Sequence, residues 1–219
     1  MTTPTIDATH ALDVARRQIR LEADAVRAVA DQLDEAFVAA AQLTLDCSGK
    51  VFTVGSGTSG MGARRMAHLL SVCGRASVFL HPMDALHGSS GALAAGDLII
   101  AISKGGESAE INDLCVLARA RGVAVIALTA NPQSALADLA DLTVTLTTSD
   151  DADPGGIVAM GSTLVTAVWG DALGYVLMHY NGYSWDQVLS SHPAGAVGQR
   201  RDLPSDLAPA NTERSEASR

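Results

Sequence analysis

Two short β-branched runs, each ending in a glycine-rich turn that opens onto a helix-forming segment, limit how this chain can fold. In the first, Val51-Phe52-Thr53-Val54 runs into Gly55-Ser56-Gly57-Thr58-Ser59-Gly60. In the second, Asp97 to Ser103 runs into Lys104-Gly105-Gly106, with Glu107 and Ser108 at the head of the next helix. A strand, a glycine turn and a helix start together make an anion seat. The glycines let backbone N–H groups approach a ligand, and a helix N-terminus carries about half a positive charge. Two such turns on neighbouring parallel strands converge on one phosphate.

The remaining pattern supports that arrangement. Residues 6–46 read as a helical arm, with Leu12, Ile19, Ala23, Val26, Leu33, Phe37 and Leu43 at roughly helical spacing. From Val51 onward, strands are predicted at 51–55, 77–81, 97–103, 124–130 and 142–147. Helices are predicted near 60–73, 107–121 and 134–140, with a Pro/His/Gly/Ser loop rather than a helix across 81–96. A long helix follows over 158–181 and a short one over 184–190, before His192-Pro193-Ala194-Gly195 breaks the pattern. Helical crossovers between five aliphatic strands imply a parallel sheet covered on both faces, in a single α/β domain. Aromatics are only 4% of a chain that is 47% apolar, so Ala, Val, Leu and Ile must fill its core. The tail 202–219 has little to bury and is expected to be disordered.

Charge and motif content exclude several functions. With a net charge of −9 and only Lys50 and Lys104 as lysines, the chain has no basic stripe for nucleic acid. No apolar run reaches the ~20 residues of a membrane span, and the first residues lack the form of a leader. Cys47, Cys73 and Cys115 are odd in number and show no paired spacing, which fits free thiols in a reducing, cytoplasmic setting. There is no HExxH motif and no Gly-x-Ser-x-Gly elbow. Gly55 to Gly60 fits a dinucleotide loop, but His81-Pro82 stands where that motif needs a carboxylate. No cofactor and no metal are expected.

Each candidate residue has a plain reading beside its functional one. Ser56, Thr58, Ser59, Ser103 and Ser108 could hold a phosphate or merely serve as turns and caps. Glu107 could take a proton or simply complement a helix dipole. His81, His87 and His192 fall in loops at the expected binding edge.

Four segments occur in a familiar order: Val54 to Gly60, His81-Pro82-Met83-Asp84-Ala85-Leu86-His87-Gly88, Ile102 to Ser108, and Ser191-His192-Pro193-Ala194-Gly195-Ala196-Val197-Gly198. Together they resemble the SIS (sugar isomerase) domain, and within it the arabinose-5-phosphate isomerase branch, over residues 10–201. The resemblance implies a flavodoxin-like three-layer α/β/α sandwich spanning 6–201. Its parts are an arm (6–46), a core (50–191) and a His-Pro segment (191–201). It also implies a homotetramer with sites shared between subunits, and no CBS module within this chain.

For the site, the resemblance implies aldose–ketose isomerisation of a small sugar phosphate. Glu107, His192, His87 and Asp151 would be catalytic. Gly55, Ser56, Gly57, Thr58, Ser59, Ser103, Lys104, Gly105, Gly106, Ser108, Ser162 and Thr163 would bind substrate. A family lysine is Thr58 here, Lys104 replaces an Asn, and Asp151 is shorter than the family's acidic residue. Lys104 either restores the missing charge or faces solvent. The alternative function is a sugar-phosphate sensor that binds without turnover.

Overall fold

The computed structural model describes residues 4–205 and 207. The expected disordered tail from Asp202 therefore lies, at 206 and beyond 207, outside the described residues. The arm is two helices, α1 (Ala8–Arg27) and α2 (Glu35–Asp46), joined through a short 3-10 turn at Ala30–Gln32. Asp34 separates them, because its side chain accepts from Ala36 and Phe37 N–H and so starts α2 afresh.

The strands β1 (Val51–Gly55), β2 (Ser77–Phe79), β3 (Leu98–Ile102), β4 (Ala124–Thr129) and β5 (Leu142–Thr145) form one five-stranded sheet in the order β2-β1-β3-β4-β5. Every pairing is parallel. Between strands run α3 (Gly57–Val72), α4 (Pro82–Leu86), α5 (Ala109–Ala120) and α6 (Ala135–Leu139), followed by α7 (Gly161–Asn181) and α8 (Trp185–Ser190). The expected three-layer α/β/α sandwich with its helical arm is what the chain forms.

Strand alternation divides the core in two. Leu98, Ile100 and Ile102 of β3 face a cluster with α2, α3 and α7, while Ile99 and Ala101 face one with α4, α5 and α6. In the first layer Trp169 is fully buried, edge-on to Phe37 with ring centroids 5.7 Å apart, so α2 and α7 lock over the sheet. Truncating such a ring to Ala costs about 3–5 kcal/mol.

Several boundaries differ from the sequence reading, among them the start of the long helix, which is Gly161 rather than 158. The region 81–96 is not simply a loop: Pro82 at its first helical position starts α4, and a 3-10 turn spans Ser89–Ala92. β2 stops at Phe79 because Pro82 begins that helix so soon after. The helix placed at 60 begins at Gly57, since the glycine turn itself becomes its first turn. The helix placed at 107 begins at Ala109 with Ser108 as its N-cap, leaving Glu107 in the connecting turn. Among the described residues, no helix is long and apolar enough to cross a membrane.

Gly106 sits at φ +72°, and a Cβ there would lie 2.3 Å from the Ser134 Cβ. Gly106→Ala should therefore lower the thermal midpoint by about 5 °C or more, read by circular dichroism, because both strain and overlap oppose it.

Candidate active site

Parallel pairing aligns Gly55 at the end of β1 with Ile102 at the end of β3. The two glycine turns thus emerge side by side at the point where strand order reverses, the usual ligand position in open α/β sheets. At the first turn, a Cβ on Gly60 would stand 2.8 Å from the Gly55 carbonyl oxygen, so only glycine lets β1 bend directly into α3. Gly57 (φ +53°) makes that bend. No side chain caps α3 or α5, whereas Asp7, Asp34, Ser134 and Ser184 cap α1, α2, α6 and α8. The free N–H groups at α3 and α5 remain available to an anion.

The second turn is more tightly organised. Ser103 is buried, its Oγ lies 3.4 Å from the Ser108 Oγ, and it accepts from Gly106 N–H. Glu107 is exposed, and its Oε1 accepts from Ala135 N–H at 3.1 Å, which fixes the carboxylate against the start of α6.

A cleft opens beside these turns, at the ends of β3, β4 and β5 and the start of α7. Ser59, Lys104, Ser162 and Thr163 line it together with Thr129, Thr148 and Thr166, over a floor that includes Ile102, Leu128 and Val165. Of the expected substrate-binding residues, then, Ser59, Lys104, Ser162 and Thr163 meet in one cavity. Gly55, Ser56, Gly57 and Thr58 form the adjoining first turn, and Ser103, Gly105, Gly106 and Ser108 the second. His87 caps the C-terminal end of α4, Asp151 is exposed on a 3-10 turn, and His192 follows α8. None of these three lines the cleft, and neither does Glu107. The His192 Nδ1 lies 2.7 Å from the Val188 carbonyl oxygen, which can only accept. Nδ1 therefore carries the proton and Nε2 is left as the basic nitrogen.

Two carboxylates escape the sequence reading. Glu110, in the first turn of α5, accepts from the Ser56 Oγ at 2.6 Å, so that hydroxyl is already engaged. This bond, the helix's own N–H and nearby His81 hold the Glu110 carboxyl below its ordinary value, against a smaller effect of burial. Asp153 is 1% exposed; its Oδ2 accepts from the Lys104 Nζ at 2.8 Å, and its Oδ1 from Met160 and Ser162 N–H at 2.8 and 3.0 Å. Burial pushes this carboxyl up, but the Lys104 and Ser162 hydrogen bonds outweigh it and hold the value at about 2. Lys104 neither points freely to solvent nor stands alone. Among the described residues, no three His, Cys, Asp or Glu side chains gather as a metal site requires.

This is an α/β architecture with two anion-receptive helix starts at its switch point and a hydroxyl-lined cleft beside them. The chain belongs to the SIS domain family, whose pattern matches residues 44–173. It is 37% identical over 186 residues to arabinose 5-phosphate isomerase KdsD of Pseudomonas aeruginosa, covering 85% of this chain and 57% of that one. It is 34% identical over 182 residues to KdsD of Escherichia coli K12, covering 83% and 56%. The chain thus spans a little over half the length of the curated relatives it matches. Among solved structures, E. coli CFT073 c3406 in complex with arabinose 5-phosphate superposes with a TM-score of 0.82 at 30% identity, covering 86% of this chain and all of that one.

The Asp153 carboxyl titrates at about 2 in the folded protein, below its ordinary 3.8. Its ionised form therefore stabilises the fold fully above about pH 4, and that contribution is lost as pH falls through about 2. Asp153→Asn should be less stable near neutrality and flatter across that acid window, as measured by urea unfolding at a series of pH values.

Proposed function

We propose that this protein is an aldose–ketose isomerase acting on a small sugar phosphate of the arabinose 5-phosphate/ribulose 5-phosphate kind, through an enediolate. One observation carries the reading: neighbouring parallel strands bring together two helix starts that no side chain caps, at α3 and α5, and Glu107 stands in the turn that leads into α5. Ser59, Ser103 and Ser108, with the free N–H groups of α3 and α5, hold the phosphate. The open-chain sugar then extends from the turns into the cleft, with Glu107, which does not itself line that cleft, acting from the second turn.

Isomerisation moves one proton between C1 and C2 while the carbonyl and hydroxyl exchange places. Glu107 is suited to that transfer: Oε1 is anchored by Ala135 N–H, and Oε2 has no hydrogen-bond partner among the described residues. His192, with its basic Nε2, assists ring opening and reaches the cleft of a neighbouring copy rather than its own. His87 and Asp151 complete the site from its edges. A cytoplasmic homotetramer with shared sites accommodates this arrangement. Met61, Val158, Met160 and Leu164, next in sequence to cleft residues, are exposed apolar side chains that such packing would cover.

Incubation with arabinose 5-phosphate in heavy water should place deuterium at C2 of the aldose or C1 of the ketose. Glu107→Gln should slow that exchange by about 10²-fold or more while retaining sugar-phosphate binding. Binding by the unaltered protein without any exchange would instead identify a sensor. Glu107→Gln and His192→Ala subunits, each inactive alone, should regain measurable activity when unfolded together and refolded as mixed assemblies; failure to do so would place both residues in one subunit's site.

A further inference from the structure

Lys104 is the only lysine near the site, and a sugar phosphate offers it two ends. We infer that the Lys104–Asp153 pair forms the seat for the hydroxyl-bearing end of the sugar and does not hold its phosphate. This rests on the isomerase reading above and specifies how that substrate lies.

Charge is the first reason. The Lys104 ammonium sits 2.8 Å from a carboxylate that is itself 1% exposed, so the two present no net charge to the cleft. The start of α7, the cleft's other positive element, is spent on the same residue, because Asp153 Oδ1 accepts from Met160 and Ser162 N–H. A phosphate dianion gains little there. At the starts of α3 and α5 no side chain accepts from the helix N–H groups, which stay available to it even with Glu110 on the Ser56 hydroxyl.

The second reason is hydrogen-bond polarity. Thr163 Oγ1 donates to the Ala159 carbonyl and Thr166 Oγ1 to the Ser162 carbonyl, each at 3.0 Å, and Thr129 Oγ1 donates to the Lys104 carbonyl at 3.1 Å. With those protons committed, the Thr163 and Thr166 oxygens act as acceptors toward the cleft, while the buried Thr129 oxygen already accepts from Asn131 N–H. A phosphate dianion is acceptor-only and repels them, whereas a sugar hydroxyl has a proton to give. Lys104 has three ammonium protons and uses one on Asp153, so it supplies donors beside those acceptors. Alternating donors and acceptors match vicinal hydroxyls. Asp153 is shielded from the cleft and acts through Lys104 as a positioning residue.

Isothermal titration of the full chain with inorganic phosphate and with arabinose 5-phosphate tests the assignment. Lys104→Gln should leave inorganic phosphate affinity within about twofold and weaken arabinose 5-phosphate by roughly tenfold or more, the worth of one charge-assisted hydrogen bond. Asp153→Asn should tighten inorganic phosphate severalfold, because the lysine is then unneutralised, and weaken arabinose 5-phosphate severalfold, because the lysine is no longer positioned. A merely structural aspartate would not shift the two ligands in opposite directions. Parallel weakening of both ligands in Lys104→Gln overturns the inference and leaves the isomerase reading intact. An unaltered protein that binds inorganic phosphate but no sugar phosphate overturns both. Lys104 is partly exposed, so its variant remains informative even where Asp153→Asn does not fold.

Discussion

The parallel register of β1 against β3 is the constraint on which the site depends. It places Gly55 opposite Ile102, so the turns that follow leave the sheet edge together and their helices start side by side. Shifting that pairing by one residue would turn the side chains of β3 to the opposite layer, sending Leu98, Ile100 and Ile102 away from α7 and Trp169. The aliphatic core therefore fixes the site's geometry as well as its stability. Close approach at Gly55 and Gly60 completes the effect, since a strand can lead straight into a helix only where the backbones nearly touch.

Electrostatic cost is distributed unevenly over this framework. A buried carboxylate is expensive unless it is paired and hydrogen-bonded. Asp153 meets that requirement with three donors drawn from two parts of the chain, Lys104 after β3 and the start of α7. Glu110 meets it more simply, through Ser56, and stays near the surface. The two acids have opposite consequences. Glu110 engages a hydroxyl of the first turn without capping α3, whereas Asp153 quenches the dipole of α7. The contrast leaves the backbone N–H groups of α3 and α5, unlike those of α7, without a side-chain acceptor.

Much of this is legible in the sequence, for identifiable reasons. The strands announce themselves because β-branched residues stop at glycines, and all five lie within the expected ranges. The turns at Gly55 and Gly106 are readable because only glycine serves there. Helix starts are less so: Gly57 and Ser59 look like loop residues until tertiary contacts recruit them into the first turn of α3. The short α4 is hidden by the turn-forming residues on either side of it. Asp153 is invisible for a different reason. Its partner Lys104 is 49 positions away, and no periodicity links them. The neighbouring Asp151 draws attention instead, although it lies exposed on a 3-10 turn while Asp153 is buried.

Helix α7 links these regions mechanically. One end is tethered through Asp153 to the lysine of the cleft; farther along, Trp169 is wedged beneath Phe37 of the arm. A rigid rod held at both places transmits a tilt at its tip to the aromatic contact. The buried indole of Trp169 therefore joins the packing of the arm to the same helix whose first turn borders the cleft.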